Sequence, residues 1–285
     1  MALLVTGHRG FVGSHLTKLL DKKKIKWVGY DLLDGDDIRD LCKLDAFFEK
    51  NQITEVIHLA ALAGVRRGNE YPDDYISTNI KGVLNVCNMC EKYNVQHLVF
   101  YSSSSVYGDC NPPVNEAFAK RPKSIYGITK LAGERIVEAS AIPQTTIVIP
   151  FTVYGENGRK DEVVYKWLEQ YKNNKPITIY GDGSSKRGYV YVKDLVETTV
   201  KIITDNHKHW EREMFNVGGS EVVELKQIVE VFKDLIPDIL IEELDMPKTD
   251  IYKNYADTAK AQKKLGFNPK PMFEKNLRRI IKNEL

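Results

Sequence analysis

The chain of 285 residues is 42% hydrophobic and 28% charged, long enough to bury about three quarters of its unfolded surface, which excludes disorder as its main state and allows one or two domains. Its 41 Lys and Arg against 39 Asp and Glu leave a formal net charge of +2, too weak a field to call for nucleic acid or an anionic membrane as partner. No apolar stretch approaches the ~20 residues of a membrane helix, and the opening Ala2-Leu3-Leu4-Val5 has neither the basic leader nor the cleavage site of a signal peptide, so a cytoplasmic protein is expected.

The first expected strand, ALLVTG, runs into Thr6-Gly7-His8-Arg9-Gly10-Phe11-Val12-Gly13 and then a helix from Ser14. Short strands follow at KWVGYD, TEVIHLAA, HLVFYSSS and TTIVIPF, rich in Val, Ile and Leu as strands buried on both faces are. Each but the last is followed by helix-compatible sequence, and that alternation predicts a parallel sheet wrapped by helices. The helix from Ile80 to Tyr93 carries Ile80, Val83, Leu84, Val86, Cys87, Met89, Cys90 and Tyr93 around well over half its wheel. It either lies deep in the domain or meets another subunit.

Beyond Phe151 the rhythm weakens into a helix near Glu162 to Asn173, a strand PITIYG, a turn-rich GDGSSKRG, a strand and helix from Tyr189 to Thr204, and a Lys-rich C-terminal helix from Phe273. Such a tail predicts a smaller second domain over the carboxyl ends of the strands, where open α/β sheets bind ligands. Cys42, Cys87, Cys90 and Cys110 are too few for a disulfide framework. Cys87 and Cys90 form a CxxC with no second pair to complete a metal site, so they are read as apolar helix residues and no metal is assigned.

Chemistry concentrates at three places. The glycines Gly7, Gly10 and Gly13 allow a tight turn and close approach of backbone amides to a pyrophosphate at a helix N-terminus, and Asp31 ends the next strand, where an acid accepts hydrogen bonds from an adenosine ribose. Tyr-x-x-x-Lys occurs at Tyr126/Lys130, Tyr171/Lys175 and Tyr189/Lys193, but only the first lies on a predicted helix just after the fourth strand. One helical turn brings Lys130 to the side of Tyr126. A free tyrosine is only about 0.1% ionised at neutral pH, so a tyrosine base needs a nearby cation, here Lys130 and an oxidised nicotinamide ring. The third place is the run Ser102-Ser103-Ser104-Ser105, whose hydroxyls either hold a substrate oxygen or satisfy a strand-end loop.

The ordered set TGHRGFVG, Asp31, DDIRD, HLAALAGVR, SSSSVYG, SIYGITK, FTVYG, RGYVYVKDL and ADTAKAQKKLGF resembles the extended short-chain dehydrogenase/reductases, specifically the NAD-dependent nucleotide-sugar epimerases and dehydratases, over nearly the whole chain. The resemblance implies an α/β Rossmann domain, a doubly wound parallel sheet at residues 1–150 plus about 188–218, and a smaller C-terminal substrate-binding domain at 151–187 and 219–285. By position it puts Gly7, Gly10, Phe11, Val12 and Gly13 on the NAD pyrophosphate and Asp31 on the ribose. Asp37 and Ile38 flank the adenine, Leu59, Ala60 and Ala61 line the dinucleotide path, and Asn79 lies behind it. Ser103 becomes the catalytic hydroxyl, Tyr126 the acid/base, Lys130 the partner of the nicotinamide ribose, and Arg187 that of the substrate diphosphate. A homodimer built through a four-helix bundle is also implied.

Departures from the family narrow the activity. Ser104 and Ser105 stand where dehydratases carry Asp and Glu, leaving no acid to eliminate water. Ile149 replaces an arginine usual before FTVYG, and near Pro247 the nearest cation is Lys248. Epimerisation at C4 remains, with 4-keto-sugar reduction as the alternative. Among the epimerases, HLAALAGVR, the four-serine run, S-I-Y and F-T-V-Y-G-x-x-G-R-x-D resemble the UDP-glucuronate 4-epimerases, whereas neutral-hexose enzymes tend to carry Asn at Thr152. The alternative substrates are UDP-glucose or a UDP-N-acetylhexosamine. A uronate adds a carboxylate whose charge needs partners: the hydroxyls of Ser104 and Ser105, with Arg159 and Arg66 as candidate cations.

Overall fold

The computed structural model describes residues 2–205, 210–247 and 250–285. The chain begins with β1 (Ala2–Thr6), α1 (Phe11–Lys22), β2 (Trp27–Tyr30), α2 (Leu41–Asn51) and β3 (Ile53–His58). Next come α3 (Val65–Glu70), α4 (Pro72–Ile76), a π-helical turn at Ser77–Gly82, α5 (Val83–Lys92) and β4 (His97–Tyr101). A 3-10 turn at Ser104–Val106 leads to α6 (Ile125–Ala139), β5 (Gln144–Pro150), β6 (Thr152–Tyr154), α7 (Val163–Lys172), β7 (Ile177–Tyr180), β8 (Lys186–Tyr191), α8 (Val192–Thr204) and β9 (Arg212–Val217). The chain ends with β10 (Val222–Glu224), α9 (Leu225–Leu235), β11 (Ile241–Leu244), β12 (Lys253–Asn254), α10 (Ala259–Leu265) and α11 (Phe273–Glu284).

Six strands form one parallel sheet in the order β2-β1-β3-β4-β5-β9. Alternate residues of its inner strands feed opposite cores: Leu4, Val56, Leu98 and Ile147 point to one, and Leu3, Val5, Ile57, Val99 and Val148 to the other. Burial on both faces is why these strands read as unbroken apolar runs. The chain leaves β1 for β2 on one side and returns to β3 on the other, so a crevice opens at the carboxyl ends of β1 and β3, where such sheets bind ligands. A third core gathers Trp167, Ile177, Phe232, Phe273 and Leu277 from α7, β7, α9 and α11.

One expectation is corrected. The first helix begins at Phe11, not Ser14: Gly10 is its extended N-cap (φ −69°, ψ 175°), so Phe11, Val12 and Gly13 form the first turn. The wide apolar arc of α5 is mostly explained by depth, since Val83, Val86, Cys87, Met89 and Cys90 are all buried in one core. Leu84 stays outward at 38% exposure, as does Ile128 of α6 at 48%. Among the described residues, no helix is long and apolar enough to cross a membrane.

Candidate active site

A cleft of about 920 Å³ runs from the glycine turn to the far side of β8, lined by Gly7, Gly10, Phe11, Val12, Gly13, Leu59 and Ala61 at one end and by Arg66, Arg159, Tyr180, Arg187 and Asn254 at the other. At the glycine turn, Gly7 takes φ +69°, and a Cβ there would stand 2.6 Å from the amide nitrogen of Ala60. A Cβ on Gly13 would sit 2.2 Å from the Gly7 carbonyl oxygen. The turn is thus packed backbone on backbone, and α1 has no side-chain cap and no acid in its first turn. Its amides remain open to an anionic diphosphate.

Asp31 is buried at the end of β2 and is held in place by two backbone donors, Arg9 N–H to Oδ2 at 2.9 Å and Leu33 N–H to Oδ1 at 2.9 Å. Lone pairs remain on both oxygens for ribose hydroxyls. Asp37 is engaged by Arg39, whose Nε lies 3.0 Å from Oδ1 and 2.9 Å from Oδ2, and the Ile38 side chain is buried against Gly82. Asn79, in the π-helical turn, spends its amide on the protein. Oδ1 accepts from Leu62 N–H at 2.8 Å, while Nδ2 donates to the Leu62 carbonyl at 2.9 Å and to Thr129 Oγ1 at 3.1 Å. It thereby fixes the 59–63 segment that walls the cleft.

The carboxyl end of β4 brings Ser103, Tyr126 and Lys130 together. Ser103 is the extended N-cap of the 3-10 turn, and its Oγ accepts from Ser105 N–H at 3.2 Å, so the serine run does satisfy its own backbone. The same hydroxyl also favours the Tyr126 phenolate, and α6 presents that tyrosine two residues after its N-cap Ser124. Lys130, one turn further, donates to the Tyr101 carbonyl at 2.7 Å. Burial lowers its pKa to about 8, against the pull of Glu134. Burial also raises the Tyr126 pKa, and the cation that opposes this most is Arg159. Sequence reasoning gave that task to Lys130 and saw Arg159 only as a partner of the sugar.

At the sugar end, Ser104 is buried with its Oγ accepting from Asn254 Nδ2 at 2.9 Å, and Ser105 Oγ accepts from Ser103 Oγ at 3.2 Å. Thr152 joins Ser104 and Ser105 in the cleft wall. Arg159 is bound to Asp161, Nε to Oδ1 at 2.9 Å, with Glu162 Oε1 3.6 Å away. Arg66 lies over the Tyr180 ring at 4.2 Å, pairs with Asp250 at 3.4 Å, and also lines the cleft. Arg187 donates to the carbonyls of Lys186 at 2.9 Å and Tyr252 at 3.1 Å, leaving the rest of its guanidinium in the cleft. Lys248 lies outside the described residues.

Several supporting residues escaped the sequence. Tyr75, fully buried, stands edge-on to Tyr126 at 6.2 Å and donates to the Ala63 carbonyl. Glu134, one turn past Lys130 and also fully buried, accepts from Ser102 Oγ and Lys120 Nζ, pinning the end of β4. His58 pairs with Thr6 Oγ1 at 2.7 Å, and burial, with the charge of Lys130, takes its pKa down to about 3, so it is neutral. The only available signal for Glu134 was an acid at a helix-interior spacing of four from Lys130, a pattern shared with ordinary exposed ion pairs.

The sequence pattern of the NAD dependent epimerase/dehydratase family matches residues 3–218. A UDP-glucuronate 4-epimerase of Thermodesulfobacterium geofontis is 31% identical over 98% of this chain and 94% of its own length. Two solved structures are similar in fold: a UDP-glucuronic acid 4-epimerase from Bacillus cereus with UDP-glucuronic acid and NAD (TM-score 0.89, 27% identity, 100% of both chains), and a UDP-glucose 4-epimerase from Thermus thermophilus with NAD (TM-score 0.90, 25% identity, 100% of this chain and 99% of that one).

Proposed function

The chain belongs to the NAD dependent epimerase/dehydratase family, and from that premise we propose that it interconverts UDP-glucuronate and UDP-galacturonate by reversible oxidation at sugar C4. The observation that carries the reading is the convergence of Ser103, Tyr126 and Lys130 at the mouth of the dinucleotide crevice, with Arg159 and three small hydroxyl residues around the adjoining sugar space. The relative from Thermodesulfobacterium geofontis, named for the same reaction, supports it.

NAD is the cofactor, held by the amides of Phe11, Val12 and Gly13 at the pyrophosphate and by Asp31 at the adenosine ribose; when bound it supplies reversible removal and return of the C4 hydrogen. Tyr126 takes the proton of the sugar 4-hydroxyl and later restores it, and Ser103 Oγ holds the oxygen between the two events. Arg159 favours the phenolate through space, partly offsetting the cost of burying it. Lys130, anchored on the Tyr101 carbonyl, presents its remaining N–H groups to the nicotinamide ribose. Arg187 and the backbone around it take the diphosphate. Because the cleft is shaped by both segments, we assign residues 1–150 and about 188–218 to the dinucleotide and 151–187 and 219–285 to the sugar nucleotide.

The substrate is tested by comparing kcat/KM for UDP-glucuronate and UDP-glucose. Wild type should favour the uronate, and Arg159→Ala should erase on the order of 2 kcal/mol, about thirtyfold, of that preference. A mutant with undiminished discrimination removes Arg159 from the sugar site.

Asp31 sets the coenzyme. A 2′-phosphate would face its carboxylate across a hydrogen-bonding distance, so NAD should bind at least about tenfold more tightly than NADP, or ~1.4 kcal/mol. Equal affinities by calorimetry would refute this.

The same proposal includes a cytoplasmic homodimer. The exposed Leu84, Ile128 and Ile76, at 38%, 48% and 47%, lie on α5, α6 and α4, helices that would pair with their copies around a two-fold axis. Light scattering at micromolar concentration should give a dimer, and Leu84→Asp with Ile128→Asp a folded monomer. A wild-type monomer would count against the assembly.

A further inference from the structure

Among the described residues, the Glu162 side chain makes an ion pair with Arg159 but no hydrogen bond. Glu162 is the residue before α7, in the extended conformation of an N-cap (φ −79°, ψ 148°), yet its side chain makes no capping hydrogen bond. It lines the cleft instead, with Oε1 3.6 Å from Nη2 of Arg159. Arg159 is already gripped by Asp161, so one guanidinium faces two carboxylates before any substrate arrives. The other charged and titratable groups that act on Glu162 come from neighbouring elements: Tyr126 of α6, and Arg187 and Tyr189 of β8. Arg187 is committed in part to the carbonyls of Lys186 and Tyr252.

A uronate brought to Arg159 would be a third carboxylate around a single cation. Like charges at hydrogen-bonding distance cannot all stay ionised, and one of them takes a proton. The substrate carboxyl, beside an electron-withdrawing ring oxygen, is a stronger acid than a glutamate side chain, and Asp161 holds the guanidinium in two-point contact, which leaves Glu162 as the group to be protonated. Desolvation within the cleft already works in that direction, raising its pKa against the pull of Arg159.

Resting on the uronate reading above, we propose that Glu162 determines specificity in the sugar site by binding UDP-glucuronate in its carboxylic-acid form, its O–H donating a hydrogen bond to the sugar carboxylate. Where Glu162 is ionised in the free enzyme, each uronate bound then draws one proton from solvent onto the Glu162 carboxylate. A sugar with a 6-hydroxymethyl group has no such requirement. Uronate affinity therefore falls as pH rises, toward a limit of tenfold per unit, while UDP-glucose affinity stays flat.

The test is calorimetry on the NAD-loaded enzyme in two buffers of different ionisation enthalpy, repeated across neutral to alkaline pH. UDP-glucuronate should bind to wild type with uptake approaching one proton as pH rises, and UDP-glucose with none. Glu162→Gln, which keeps a hydrogen-bond donor and cannot ionise, should lose both the proton uptake and the pH slope. Glu162→Met, which has no donor, should lose them too but bind the uronate about fivefold more weakly than Glu162→Gln. Proton uptake or a slope unchanged in Glu162→Gln overturns the role of Glu162 and leaves the uronate reading standing. UDP-glucose binding with no measurable binding of UDP-glucuronate to any of the three proteins overturns the uronate reading itself, and this inference with it.

Discussion

Tyr126→Phe should fold, bind NAD with near wild-type affinity, and lose turnover by about 10²- to 10⁴-fold, the range that a positioned acid/base group supplies. The phenol is buried, and its ring is packed edge-on against Tyr75. Phenylalanine keeps that ring packing and removes only the oxygen, so the loss is chemical and not structural. It should appear in kcat, with KM for the sugar nucleotide little changed. A mutant within threefold of wild type would remove Tyr126 from the reaction.

Lys130→Met should cost a comparable factor, and its pH behaviour identifies the cause. The Lys130 ammonium is buried and its pKa is lowered to about 8, so wild-type kcat should decline as pH rises through that value and the positive charge disappears. The methionine enzyme, already slow, should lack that alkaline limb. Stability runs the opposite way. The unfolded chain keeps the lysine protonated up to its ordinary 10.5 and the folded chain only to about 8, so between those values the unfolded state binds more protons and folding becomes more favourable as pH increases. Alkaline loss of activity together with a steady or rising melting temperature in that window separates the local titration from unfolding. Parallel loss of both would place the titrating group elsewhere.

The central strands were legible because strands covered on both faces show as short apolar runs, and the glycine turn because its positions answer to steric limits that only glycine meets. β9 was not. Its sequence, Arg212-Glu213-Met214-Phe215-Asn216-Val217, opens with two charges because it closes the sheet at an edge, where Glu213 pairs with Lys260 and Lys264. The short strands β6, β10 and β12 are also too brief to show a period. In the site, Tyr126, Lys130 and Ser103 could be found because a fixed helical spacing and a strand end bring them together. Arg159, Asp161 and Glu162 were visible as residues but not as a cluster, since which of three neighbouring charges faces the cleft depends on how the chain enters α7. Glu162 in particular stands where any acid would be taken for a helix cap, and only the missing capping bond reveals that it turns away.

The most direct test of the account is proton NMR of purified enzyme with UDP-glucuronate in D₂O and no added coenzyme. Formation of UDP-galacturonate with hydrogen retained at C4 is predicted, because the hydrogen removed from C4 is returned inside a site that solvent does not exchange with. Deuterium at C4 of the product, or no reaction until a stoichiometric reductant is supplied, would contradict it.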